Sequence, residues 1–210
     1  MRTLHWTDHL LAHVDRSIKT MTGTLPVANG FEHDSRADEL TPEEQSKSRQ
    51  LMRINHCGEV CAQGLYHGQM LSARNDSTKV HLEHAAEDEQ KHLVWCQERL
   101  RELNGQTSYL NPLWYGASFA VGAATGLMGD RVSLGFIAAT EEEVCKHLDR
   151  HLAELPEGDH RTREIIAQMQ ADEARHEQAA LDEGGAPYPA AIKKFMALQS
   201  ALMTSATRWI

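Results

Sequence analysis

From residue 41 to residue 209 apolar side chains return every three or four positions, the period of a helix with one buried face. No run alternates with period two for long enough to make a strand. Thr41-Pro42-Glu43-Glu44 offers an N-cap, a proline at the first helical position and acids in the first turn, which predicts a long helix from there to about Arg74. Asp76 and Ser77 are expected to cap a second, which runs through His92 to about Leu103 and stops at Asn104-Gly105. Pro112 opens a third, uncharged one, and Asp130 restarts a fourth that ends before Pro156. Gly158-Asp159 begins a fifth, halted at Gly184-Gly185, and residues 187–209 form a last amphipathic helix. Residues 4–21 read as a weaker helix, and 22–40, rich in glycine, aspartate and small polar residues, as a loop or linker. The expected fold class is all-α, with residues 1–40 as an N-terminal helix and linker and 41–210 as the main domain.

Composition narrows the function. A chain of 210 residues can bury a substantial core, so disorder is not expected. Its net charge of −9 argues against nucleic acid as a partner, because phosphate contacts need a surplus of lysine and arginine. Thirteen histidines accompany only four cysteines, and Cys57, Cys61, Cys96 and Cys145 form no C-x-x-C pair. They are expected to be reduced thiols on the cytoplasmic side. The start, M-R-T-L-H-W-T-D-H-L, has no apolar core of a signal peptide and too few arginines for a transit peptide, so the mature chain is expected to begin there.

Two short motifs change the picture. Asp88-Glu89-Gln90-Lys91-His92 and Asp172-Glu173-Ala174-Arg175-His176 share one plan, and a lone acid precedes each at a similar distance: thirty positions from Glu59 to Glu89, thirty-two from Glu141 to Glu173. In each E-x-x-H the carboxylate and the imidazole share a helix face. Glu141 interrupts a stripe of Leu134, Ile137, Ala138, Val144, Cys145 and Leu148, whereas Glu142 and Glu143 neighbour Lys146, Asp149 and Arg150 and belong to the solvent face. Glu89 shares its face with Leu82, Ala85, Ala86, Leu93 and Cys96, and Glu173 with Ile166, Met169 and Ala180. Glu59 lies on a mixed stripe of Met52, His56, Ala62, Tyr66 and Met70. One E-x-x-H alone is more often a solvated pattern; two copies, each behind an inward acid, reverse that.

Four buried carboxylates need cations, and carboxylate mixed with imidazole without thiolate suits iron or manganese better than copper or structural zinc. A glutamate from each of two helices plus E-x-x-H from each of two others is the di-metal pattern of ferritin-like four-helix bundles. Glu89 and Glu173 are then the expected bridging ligands, with Glu59 and His92 on one metal and Glu141 and His176 on the other. Asp88 and Asp172 are the expected acceptors behind the ligand histidines.

At these residues the chain resembles the demethoxyubiquinone hydroxylases, di-iron monooxygenases of ubiquinone biosynthesis. The resemblance runs from about Gln50 to the C-terminus, leaving residues 1–40 outside the shared core. It is carried by Arg53-Ile-Asn-His-Cys-Gly-Glu59, Tyr66-His-Gly-Gln-Met70, Glu89-Gln-Lys-His92, Pro112-Leu-Trp114 with the glycine-rich run after it, Glu141-Glu142 with His147, and Glu173-Ala-Arg-His176. Asn55 stands where many relatives have aspartate. The resemblance implies that Glu59, Glu89, His92, Glu141, Glu173 and His176 hold two ferrous ions. It also implies that dioxygen hydroxylates the ring of a polyprenylated methoxy-methyl-benzoquinone, with NADH as the ultimate reductant. No G-x-G-x-x-G follows a strand, so NADH is expected to act by transient contact or through the quinone. The competing readings are a ferritin-like iron store or ferroxidase, and a membrane adaptor whose metals only stabilise the bundle.

Pro112 to Gly129 has no charged residue in eighteen positions, the lower limit for crossing a bilayer, and is too rich in glycine and alanine to be a convincing span. A buried helix or an oligomer interface competes with a membrane-facing role. An insoluble quinone tail favours peripheral attachment at the cytoplasmic side of the cell membrane, with Trp114, Tyr115, Trp209 and Ile210 as anchors and the substrate entering from lipid. A homo-oligomer or other ubiquinone-biosynthesis proteins are the remaining candidate partners. His5, His9 and His13 recur at helical spacing without carboxylate partners, and His81 and His84 fall off the Glu89 face; all five are expected at the surface. Tyr66 lies two turns beyond Glu59 and His147 near Glu141, each expected beside the metals without touching them.

Overall fold

The computed structural model describes residues 15, 18, 20, 31 and 38–209, and among these there is no strand. Six helices follow in order: α1 (Pro42–Met70), α2 (Asp76–Glu102), α3 (Asn111–Leu127), α4 (Asp130–Glu154), α5 (His160–Asp182) and α6 (Ala190–Thr207). The expected helices and breaks all occur. Of the helix expected over 4–21 only Asp15, Ile18 and Thr20 are described, each of them helical; the rest of it and most of the linker over 22–40 lie outside the described residues, as do His5, His9 and His13.

Helix starts show how local chemistry sets the elements. Thr41 and Glu44 form a reciprocal capping box, the Thr41 hydroxyl accepting from the Glu44 amide at 3.3 Å and the Glu44 carboxylate from the Thr41 amide at 2.9 Å. Asp159 caps α5 by accepting from the Thr162 amide at 3.0 Å. At α2 the expectation is corrected: the N-cap is Asn75, with no side-chain bond, and Asp76 and Ser77 stand inside the first turn. The start is held instead by Asp130 of α4, whose carboxylate accepts from the Arg74 and Asn75 amides at 3.0 and 2.8 Å.

Five-residue connections fold α1 onto α2 and α4 onto α5, and the two hairpins meet where α2 faces α5. Helix α3 joins the hairpins and lies along α1. That close approach requires glycine: a Cβ on Gly64 would stand 2.6 Å from the Tyr115 carbonyl oxygen, and one on Gly68 would overlap the Phe119 carbonyl. Helix α6 touches α1 and α4 but buries only Thr207 fully, leaving Phe195, Leu198 and Leu202 exposed. It is more apolar outward than an amphipathic helix on its own bundle should be.

Two apolar clusters fill the bundle. One gathers Leu51, Met52, Cys96, Leu148, Ile166 and Met169; the other gathers Tyr66, Leu82, Ala85, Ile137, Ala138 and Ala180. On each of the four main helices the inward acid falls between members of the two, so burial of these clusters clamps the polar layer from both ends. Each fully buried leucine or isoleucine contributes about 1.5–3 kcal/mol towards that clamp. Below the first cluster Arg99 is buried, donating to Asp38 and Asp159 at 2.7 Å each and to Thr162 at 2.8 Å. This network ties the segment before α1 to the start of α5.

Candidate metal centre

All six expected ligands are buried and converge. Glu59 (α1), Glu89 and His92 (α2), and Glu173 (α5) offer ligand atoms that all lie within 4.8 Å of one another. His92 Nδ1 is 3.8 Å from Glu59 Oε2, 3.5 Å from Glu89 Oε2 and 3.0 Å from Glu173 Oε1. His176 Nδ1 is 3.2 Å from Glu89 Oε1 and 3.0 Å from Glu173 Oε2. Glu89 and Glu173 therefore each turn one oxygen towards one imidazole and the other oxygen towards the second. Glu141 sits on the His176 side, its Oε1 accepting from the Tyr66 hydroxyl at 2.7 Å. The imidazole centroids are 6.4 Å apart.

Electrostatics describe a layer short of positive charge. Burial pushes the Glu59 carboxyl well above the usual range, and Glu89 beside it adds to the rise. Burial does the same to Glu141, with Glu173 and Glu89 adding repulsion. Burial also opposes ionisation of Glu89, but the His176 and His92 imidazoles beside it outweigh that and hold the carboxyl low. Burial disfavours the charged imidazoles too; the carboxylates overcome it, raising His92 well above its ordinary value and His176 to about 11. Glu89 Oε1, His92 Nδ1 and Glu173 Oε1 are buried without a hydrogen-bond partner, a costly arrangement that a metal ion would satisfy. The donor set fits two hard divalent ions.

The two aspartates meet the histidines crosswise. His92 Nε2 is 3.0 Å from Asp172 Oδ2 on α5, and His176 Nε2 is 3.3 Å from Asp88 Oδ2 on α2. Each motif supplies the acceptor for the other motif's histidine. Tyr66 is fully buried and touches Glu141 directly. His147 touches none of the six in any contact described; its ring centroid lies 3.9 Å from that of His151 with the planes tilted by 57°, and burial lowers its pKa to about 4. His84 is exposed, but His81 is only partly so, its Nε2 buried without a partner, which corrects its expected place on the surface.

A cavity of about 260 Å³ reaches this layer from the side. Glu59, Glu89, Glu141 and Glu173 stand at its inner end, while Leu65, Trp114, Val121, Phe136, Met196 and Met203 form apolar walls. Those walls come from α1, α3, α4 and α6. Sequence periodicity missed most of these wall residues, because they border a void and not a neighbouring helix. Trp114, expected as a membrane anchor, is part of this wall. Tyr115, expected as another, is buried and shares a 2.8 Å hydrogen bond with His67 Nδ1, so it cannot reach an interface. Trp209 is exposed, and Ile210 lies outside the described residues.

Comparison with known proteins adds an independent finding. A family model described as ubiquinone biosynthesis protein COQ7 matches residues 46–207. A 3-demethoxyubiquinol 3-hydroxylase of Ectopseudomonas mendocina is 49% identical over 205 residues, covering 95% of this chain and 94% of the relative. Enzymes of the same name from Azotobacter vinelandii, 49% identical with 96% and 94% covered, and Chromohalobacter salexigens, 47% identical with 97% and 96% covered, are similar. The family model starts beyond residue 40, but the relatives' similarity extends into the first forty residues, further than the motifs alone suggested.

Proposed function

The chain belongs to the family of the ubiquinone biosynthesis protein COQ7, and from that premise we propose that it is a hydroxylase of ubiquinone biosynthesis, acting on the ring of a polyprenyl methoxy-methyl-benzoquinol. The observation that carries this reading is the pair of carboxylates, Glu89 and Glu173, each dividing its oxygens between two imidazoles at the end of an apolar cavity. We assign Glu59, Glu89, His92 and Glu173 to one iron ion and Glu141, Glu89, His176 and Glu173 to the other. Bound iron supplies the dioxygen chemistry, a redox task that no side chain here can perform.

The chain's own residues do the rest. Asp172 and Asp88 hold the outward nitrogens of His92 and His176, so that both Nδ1 atoms stay turned to the carboxylates. The apolar walls hold the quinol ring against the carboxylate layer and keep bulk water from it. Asn55, Ser118, Thr140, Gln199, Ser200 and Thr204 are the uncharged polar side chains in the cavity wall that can meet ring oxygens. NADH is the proposed ultimate reductant, delivering electrons by transient contact or through the quinone. An iron store or ferroxidase has no use for an apolar cavity ending on its ligands, so the hydroxylase reading stands above it.

No helix among the described residues is long and apolar enough to cross a membrane. Leu113, Leu127 and Met128 at the ends of α3 and Phe195, Leu198 and Leu202 on α6 are exposed on the two helices that contribute Trp114, Val121, Met196 and Met203 to the cavity wall. We read this face as lying on the cytoplasmic side of the cell membrane, so that the prenyl tail leaves between α3 and α6 into lipid. A second copy of the chain, or another protein of ubiquinone biosynthesis, is the other occupant such a face admits.

The test is aerobic turnover of a short-chain demethoxyquinone by iron-loaded protein with NADH, read by mass spectrometry. One added oxygen atom is expected. No oxygenated product from a fully loaded sample would overturn the assignment.

A further inference from the structure

A second cavity, of about 400 Å³, lies between the first half of α1, the 104–106 turn and the end of α6. Arg49, Arg53 and Arg208 line it together with Ser46, Gln50 and Gln106, and no acidic residue contributes to its wall. The Arg49 and Arg53 guanidiniums are positioned by backbone carbonyls. Arg53 donates from Nε to Gln106 O at 2.9 Å and from Nη1 to Arg208 O at 3.3 Å, and Arg49 donates to Asn104 O at 3.4 Å. Among the described residues no carboxylate pairs with Arg49 or Arg53; Arg208 reaches Glu154 only at 3.4 Å and from a half-exposed position. Gly105 lets Arg49 lie flat against the turn, since a Cβ there would stand 2.6 Å from Arg49 Cγ. A protein of net charge −9 has acids to spare, yet among the described residues it holds the Arg49 and Arg53 guanidiniums at this cavity without a carboxylate partner and places Arg208 beside them. Such a donor set matches a tetrahedral oxyanion.

The surroundings say where that oxyanion comes from. Trp209 forms part of the wall and is 72% exposed. The turn on the other side leads directly to Tyr109, 73% exposed, and Leu113, 62% exposed. The cavity therefore sits at the end of the outward apolar stripe of α6, Phe195, Leu198 and Leu202, which Trp209 extends. Aromatic side chains flanking basic groups at the rim of an apolar surface mark the headgroup level of a bilayer. Resting on the membrane reading above, we infer that Arg49, Arg53 and Arg208 form a phosphate-binding site for the headgroup of an anionic phospholipid, which fixes the orientation of the cavity mouth on the bilayer.

Vesicle flotation of the full chain tests this. Binding to phosphatidylcholine vesicles reads the apolar face alone; adding phosphatidylglycerol to the vesicles should tighten it. Arg53→Gln should remove about fivefold of that gain, while Arg101→Gln, an exposed arginine outside the cavity, should remove much less. Turnover of a water-soluble short-chain quinone should be unchanged in both. Should Arg53→Gln fail to fold by circular dichroism, Arg49→Gln and Arg208→Gln carry the same prediction. Equal losses from Arg53→Gln and Arg101→Gln would overturn the site, because a diffuse surface field responds that way. So would titration of inorganic phosphate or NADH into the cavity with no effect on vesicle binding, which would assign it a soluble phosphate. Retained binding to neutral vesicles with no phosphatidylglycerol preference refutes the site alone; absence of binding to either vesicle refutes the membrane reading with it.

Discussion

Asp172→Asn should weaken iron binding more than Asp88→Asn, although the two aspartates occupy the same place in a repeated motif. The difference comes from their surroundings. Asp172 is 8% exposed in its side chain and lies 3.0 Å from His92 Nε2, whereas Asp88 is 32% exposed and lies 3.3 Å from His176 Nε2. Asp172 also takes Gln168 and Arg175 on its other oxygen, which fixes the carboxylate that faces the histidine. A buried charge-assisted hydrogen bond of this kind contributes about 1.5–3 kcal/mol, so its loss should lower affinity at the His92 position by about ten- to a hundredfold. Asp88 shares its charge with Lys91 at 2.6 Å and is open to water, so its contribution falls to about 0.5–1 kcal/mol, a two- to fivefold loss. The assay is anaerobic titration with ferrous iron in competition with a coloured chelator, after circular dichroism has shown both variants folded. An equal loss from the two variants, or a larger loss from Asp88→Asn, would refute the reasoning from burial and crossing.

Three further changes probe the scaffold. Arg99→Met would leave Asp159, fully buried, without its guanidinium and should cost about 3–5 kcal/mol in urea unfolding; a loss under about 1 kcal/mol would show that the network is dispensable. Gly68→Leu would drive a side chain into the Phe119 backbone and should cost at least about 1–3 kcal/mol while displacing α3 and reducing quinone turnover; unchanged turnover would contradict the close packing of α1 on α3. Asp130 is subject to burial, which favours its neutral form, but bonds from the Arg74 and Asn75 amides outweigh this and lower its pKa. Its stabilisation is complete above the unfolded aspartate value of about 3.9 and is lost as pH falls through the lower folded value. The stability gap between the wild type and Asp130→Ala, about 1 kcal/mol at neutral pH, should therefore close in acid, and a gap independent of pH would disprove the capping role.

Legibility in the sequence followed the range of the interaction. Helix limits are readable because Thr41, Pro42, Asp159 and Gly184 act on their own neighbours. Glu89, Glu141 and Glu173 are readable because each interrupts an apolar stripe, and Glu59, on a mixed stripe, is readable by its spacing from Glu89. Partners from distant elements are not. Asp76 and Ser77 have capping chemistry in the right place, yet Asp130 from α4 does that work, and no local pattern announces it. Tyr115 has the character of an interface residue, but a buried histidine on α1 draws it inward. His67 was the available signal, since a histidine within the glycine-lined face of α1 needs a polar partner from whatever packs there. The arginine cavity was equally hidden: Arg49 and Arg53 share a helix face, but only the return of α6 brings Arg208 to them.

The crossed aspartates explain why the motif is repeated whole. Asp88 and His92 lie one turn apart on α2, close enough to suggest a bond within the helix. His92 nevertheless directs Nδ1 to the carboxylate layer, so Nε2 must point away from it, towards the facing helix α5. What stands there is Asp172, one turn before His176 on its own helix. The same geometry sends His176 Nε2 back to Asp88. Either hairpin alone would present an imidazole with its outer nitrogen unheld and an aspartate with no histidine to hold. Bringing α2 against α5 completes both links together, and Glu89 and Glu173, each divided between the two imidazoles, join the same pair of helices at the next layer inward. The two proposed metal positions therefore share their walls and their supports, and ligand order on one side should depend on occupancy of the other.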